Sequence, residues 1–322
     1  MAVWASRLAF VVGFLAVAFM AIIKWLGTEH FGDENITYVG KGWFRESADW
    51  DPVQNRVIVS CFEGGIAEIR VNCSNPGAIL TEKKVIEDGD YAGNASLGVV
   101  VDSPRNRLLV VIADPNKRYS AVAAYDLQSL ERLFLITLCG PERQSFADDV
   151  AVDKDGNAYV TDAHENIIWK VSPDGSQTTV ISSAEFSSVP SKIPVGLVGL
   201  NGIQVHPEGF LLVSHTWAGV IFKSSLDGSF VNVVKLDDSL NVPDGILLVS
   251  PHRLVITSAL SSYLVESLDG WETAKVIDTY TGPLHRLSTT AFLRSGKVYI
   301  NFGVGYGLKT RFFTIREAFK DF

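Results

Sequence analysis

The sequence predicts an all-β protein, a six-bladed β-propeller behind an N-terminal hydrophobic segment. Three observations lead there. After about residue 40 no long stretch shows 3.6-residue periodicity, and short runs of Val, Ile, Leu and Tyr alternate instead with turn residues. A strand–turn–strand unit recurs six times: WDPVQNRVIVS from Trp50, VDSPRNRLLVV from Val101, VDKDGNAYVTD from Val152, VHPEGFLLVSH from Val205, VSPHRLVITSA from Val249 and FLRSGKVYINF from Phe292. The copies follow one another at roughly 44 to 53 residues, which suits a blade of four short strands with its loops.

One such meander cannot bury both of its faces, so the copies must pack radially. Six of them close a ring without leaving a long open sheet edge. The missing helical pattern excludes a helical solenoid. No linker interrupts the repeats, so residues 38–322 read as one propeller.

Composition agrees. Of the 322 residues, 47% are hydrophobic and 20% charged, enough to build a large core and far from a disordered chain. A net charge of −8, with no Lys/Arg cluster, argues against nucleic acid as a partner. The N-terminus departs from this even pattern: Leu8 to Ile23 holds no charged residue and is bracketed by Arg7 and Lys24.

Sixteen helical residues span roughly 24 Å, short of the ~30 Å hydrocarbon core, but Met1 to Ala5 and Trp25-Leu26 extend the run. Residues 1–27 are therefore a signal peptide, cut near Ala16-Val17-Ala18, or an uncleaved signal anchor that ties the protein to a membrane. Residues 28–37 form a short stalk. Both routes lead into the secretory pathway, to a lumenal or extracellular protein, membrane-anchored or secreted. Sequons at Asn35, Asn72 and Asn94 fit a glycoprotein there. Of three cysteines, Cys61 and Cys73 are the candidates for one bridge; three reduced thiols are the alternative.

Propellers carry chemistry on the axis, where each innermost strand begins. Counting five residues back from each turn gives Glu46, Leu97, Asp148, Asn201 and Ser288, and the longer fifth turn gives Asp244. Asn201-Gly202 and Asp244-Gly245 are also ordinary turn pairs. Three carboxylates and an amide converging from different blades would repel one another without a cation. Oxygen-only donors favour Ca²⁺, with Mg²⁺ or Mn²⁺ as alternatives. Antiparallel pairing brings Asp162, His215 and Ser258 to the same end. Of these, His215 is a candidate proton carrier and Asp162 a structural strand-end carboxylate. His285 and Arg286, in a loop over that end, are candidates for binding substrate, and Ser288 caps its strand.

At these positions the sequence resembles the gluconolactonase, regucalcin and strictosidine-synthase-like group of six-bladed propellers, the calcium-dependent phosphotriesterase superfamily. ESADWDP at Glu46 resembles the first-blade Glu-Gly-Pro-x-Trp-Asp of that group, LNGIQVHPEG its Pro-Asn-Gly-Ile, and VPDGILL its Pro-Asp-Gly. FADDVAVDKDGNAYVTD resembles Asn-Asp-x-x-x-Asp, with Asp148 where Asn is usual. The resemblance implies a Ca²⁺ held by Glu46, Asp148, Asn201 and Asp244. It also implies hydrolysis of a small lactone, ester or organophosphate, with Asp148 and Asp244 as catalytic carboxylates. Two other readings stand beside it. One is a membrane-tethered propeller that binds a protein or peptide, through loops such as Phe186 to Gly199. The other is a metal-free condensing enzyme of the strictosidine synthase kind, which needs a catalytic carboxylate elsewhere, a place that Glu266 in the fifth blade does not fill convincingly.

Overall fold

Strand-forming residues with period two dominate the chain, and the computed structural model, which describes residues 35–322 apart from 72–76, 141, 191–197, 284 and 321, resolves them into six radial sheets. The N-terminal hydrophobic segment, most of the stalk, the Asn72 sequon and Cys73 lie outside the described residues. Among those residues no helix is long and apolar enough to cross a membrane.

Each sheet is a blade whose strands, A to D, run outward from the axis. The A strands of blades 1 to 6 are Ala48–Asp51, Ala95–Asp102, Ala147–Val152, Leu200–His206, Pro243–Ser250 and Ser288–Arg294. Each touches the A strands of both neighbours, which closes the ring. The outer strand of blade 6 is supplied by the start of the propeller: Ile36–Gly40 pairs antiparallel with Arg311–Ala318. This strand begins at Ile36, so residues 36 and 37 are propeller and not stalk. Leu80–Thr81, from blade 1, adds a parallel strand outside it and locks the closure.

The B strands explain the apolar runs. Arg107–Ala113 reads RLLVVIA and every residue of it is buried. Side chains alternate between the two faces of a strand. Leu108, Val110 and Ile112 therefore pack toward blade 1, and Leu109 and Val111 toward blade 3. All six seams between blades are filled this way. Cys61 and Cys139 are buried and free among the described residues, and Cys73, the partner considered for Cys61, lies outside them.

Candidate functional site at the channel mouth

A repeated irregularity aims the axial side chains. Ala147 pairs with Asp162 and Val150 with Val160, so Asp148 and Asp149 stand where the partner strand has one residue. The same bulge sets apart Leu97-Gly98, Asn201-Gly202 and Asp244-Gly245, and blade 6 shifts register between Ser288 and Thr290. An inserted residue bends its strand and redirects its side chains. Here the result is one narrow cleft on the axis, whose walls include Glu46, Asp148, Asp149, Asn201, Asp244 and Thr289.

The glycines at this level answer to their neighbours. A Cβ on Gly202 would lie 2.5 Å from the Asp244 carbonyl oxygen, and one on Gly245 would lie 2.5 Å from that of Thr289. The Asn-Gly and Asp-Gly pairs are therefore not turns. They are points of close approach between inner strands.

A polar arc on the B strands of blades 3 to 6 lies behind the cleft. Thr161, Ser214 and Thr257 each donate a hydroxyl proton, over 2.7 Å, to the carbonyl of Asn201, Asp244 and Thr289 in the following blade. Asn301 extends the series from blade 6 to blade 1 by donating to the Arg45 carbonyl at 2.8 Å. A polar residue in the same place of four apolar runs, VTD, VSH, ITS and INF, was the available signal.

Asp148 and Asn201 are buried, while Glu46 and Asp244 are half-buried at the mouth. Burial, reinforced by like charges, holds three carboxyls well above the usual carboxylate range. Glu46 feels Asp244 and Asp149; Asp148 feels Glu46, Asp149 and Asp162; Asp244 feels Asp148 and Asp149, eased by a hydrogen bond from Asn201. Two further carboxylates had escaped the sequence count. Burial pushes Asp149 up to about 7, although it accepts the N–H groups of Val150 and Ile203. Asp49 is pushed up to about 6, against the N–H groups of Val101 and Trp50.

The donor set is all oxygen, and the cleft encloses about 10 Å³, room for about one water or ion. The chemistry fits a hard cation. Among the described residues, however, no three Asp, Glu, His or Cys side chains stand close enough to hold one as they are placed. A cation would have to draw these carboxylates together.

The remaining expectations fare differently. Ser288 is displaced by one residue: Thr289 lines the cleft, and the Ser288 hydroxyl donates to the Ser258 carbonyl, as a strand cap would. Asp162 is structural, accepting from the N–H groups of Phe146, His164 and Glu165 and from the Ser145 hydroxyl. His215 occupies the equivalent strand end in blade 4. Its Nδ1 accepts the Ala218 N–H at 3.2 Å, burial lowers its pKa, and it does not line the cleft.

Arg286 is held within the fold as well. It is 2% exposed and its Nη1 donates to the carbonyls of Val304 and Phe312. His285 packs its ring edge against Tyr306. Glu266 lies at the far end of its blade, paired with Arg253 and Lys275.

No protein-family profile and no curated protein sequence matches the chain. Solved structures do. Luciferin-regenerating enzyme is similar with a TM-score of 0.56 and 12% identity, over 86% of this chain and 92% of that one. Virginiamycin B lyase from Staphylococcus aureus gives 0.51 and 11%, over 88% and 100%. A chain of a nidogen/laminin complex gives 0.52 and 16%, over 77% and 85%. At such identities the likeness establishes the propeller and nothing finer. That architecture serves enzymes and a protein complex alike.

Proposed function

We propose that the protein is a divalent-cation-dependent hydrolase, with Ca²⁺ as the ion and a small lactone, ester or organophosphate as the substrate. The observation that carries this reading is the cleft itself: Glu46, Asp148, Asn201 and Asp244, from four blades, share one small space on the axis, and among the described residues no cationic side chain lines it. Such a set is costly to bury except around a cation.

Glu46, Asn201, Asp244 and Asp148 would hold the ion, which when bound would supply polarisation of a carbonyl or phosphoryl oxygen. Asn201 orients Asp244 through its amide hydrogen bond. Asp148 is the group assigned to take the proton of the attacking water, since its burial beside Glu46 raises its basicity. Substrate would rest over the mouth, because the cleft is too small to admit it. His215 and Arg286 are left out of this assignment, their polar atoms being engaged within the fold.

The test is turnover of a panel of lactones, aryl esters and organophosphates with Ca²⁺ and then with excess chelator. Chelator-sensitive turnover that disappears in Asp148→Ala and Asn201→Ala, with melting little changed, is the expected result. Ca²⁺ binding with no turnover on any substrate would overturn the hydrolase.

A second reading has its own observation. Trp43, Leu260, Leu287 and Leu308 in loops, and Tyr306 at a strand end, are exposed on the mouth side of blades 5, 6 and 1, with Leu308 98% exposed. An apolar rim of this kind suits a protein partner. If it is the functional surface, polar substitutions there abolish partner capture while the axial variants leave it intact.

A further inference from the structure

We propose that a cavity at the seam between blades 6 and 1 binds a small organic anion, a carboxylate head on an apolar body. It encloses about 620 Å³, within the range of small-molecule sites. Its walls come from the link into blade 1 (residues 40–42), from the loop after strand B of blade 1 and from the loop after strand B of blade 6. It therefore opens on the same face as the channel mouth, but among outer strands and away from the axis.

Charge in this cavity runs against the rest of the protein. Lys41, Arg45, Lys84 and Lys309 face three glutamates, in a chain whose net charge is −8. The glutamates are already committed. Arg45 donates to Glu82 at 2.7 and 2.9 Å and to Glu63 at 3.0 Å, and Lys84 pairs with Glu87 at 3.0 Å. Glu82 also accepts the Lys41 N–H, and Glu63 that of Trp43. Glycine keeps them there: a Cβ on Gly40 would lie 2.2 Å from the Glu82 carboxyl carbon, and one on Gly42 would lie 2.2 Å from Glu63 Oε1. Among the described residues the ammonium groups of Lys41 and Lys309 are left with no carboxylate partner.

Two lysines without partners on the rim of a ligand-sized cavity select an anion. The rest of the wall selects an organic one, because Val39, Cys61 and the lysine stems present apolar surface. Behind this wall the Tyr38 hydroxyl is buried with no hydrogen-bond partner among the described residues; of the charged neighbours it feels, Arg45, Glu82 and Cys61 line the cavity and Arg286 does not.

The experiment is calorimetric titration of the full-length protein with octanoate, with neutral octanol and with inorganic phosphate. Saturable binding of one octanoate per chain is expected, with octanol at least tenfold weaker. The double variant Lys41→Ala/Lys309→Ala, altered only at exposed residues, should lose at least tenfold in octanoate affinity. Asp148→Asn should leave it unchanged, which separates this site from the channel. No saturable octanoate binding, equal binding of octanol, or full affinity in the double variant would each overturn the proposal. Binding of phosphate without octanoate would overturn the organic body.

Discussion

The two ends of the innermost strands carry the same residue type in opposite circumstances. At the far end, Asp51 and Asp102 are buried, and each is met by an arginine from the next strand: Arg56 at 2.9 Å and Arg107 at 2.8 Å. Those guanidinium groups also reach the next blade, Arg56 to the Leu127 carbonyl and Arg107 to those of Gly156 and Pro173. At the mouth end, Glu46, Asp148 and Asp244 meet chiefly one another. One end is neutralised and staples blades together. The other is left with surplus negative charge, which a protein built for stability alone would have no reason to keep.

Breaking the neutral end should give the largest effect. Arg56→Met leaves Asp51 buried without its arginine and takes one of two arginines from Glu68, which keeps Arg70 at 3.0 Å; loss of a buried partner costs about 3–5 kcal/mol. Melting should fall by roughly 10 °C, while Ca²⁺ affinity per folded molecule is unchanged. A variant that melts normally would show that the staple is not what holds blades 1 and 2 together.

The mouth end should respond in the opposite sense. A carboxyl whose folded pKa lies above its unfolded value takes up protons on folding, so its stabilising share is complete below the unfolded pKa and is lost as pH rises through the folded one. For Asp149 that window runs from 3.8 to about 7, and Glu46, Asp148 and Asp244 add to it in the same direction. In chelator, melting should therefore fall steadily as pH is raised across this range, and saturating Ca²⁺ should flatten the curve. Asp148→Asn, which removes one charge from the cluster, should raise melting in chelator by about 2–4 °C if relief is worth ~1 kcal/mol, and should weaken the Ca²⁺ shift. A pH profile that Ca²⁺ leaves untouched would remove the cation from the site.

Much of this contrast was legible in the sequence. The six repeats announced the blades, and a count from the turns reached Glu46, Asp148, Asn201 and Asp244, because hairpin length fixes register. The same count failed in blade 6 for a physical reason. Its hairpin is a two-residue turn at Ser295-Gly296, both at positive φ, shorter than the loops of blades 1 to 4, so the axial position is Thr289 and not Ser288. Asp149 was hidden because an alternating strand would point it away from Asp148; only the bulge puts both in one cleft. Arg286 misled because a loop arginine reads as exposed, and nothing local reveals that it bonds carbonyls in the two strands behind it.

The smallest effect concerns the hydroxyl arc, and it tests whether the mouth is held or merely crowded. Thr257→Val keeps shape and volume while deleting the hydroxyl that bonds the carbonyls of Thr289 and Gly245. The loss of such bonds costs about 0.5–1.5 kcal/mol each, a melting change of a few degrees. If the arc positions the axial donors, Ser214→Ala, which frees the Asp244 carbonyl, should weaken Ca²⁺ binding more than Thr257→Val does, since only the former touches a residue of the donor set. Titration of both variants beside the parent reads the difference. Equal affinities in all three would mean that the bulge and the close glycine contacts fix the axial residues by themselves, and that the hydroxyls serve only the seams between blades.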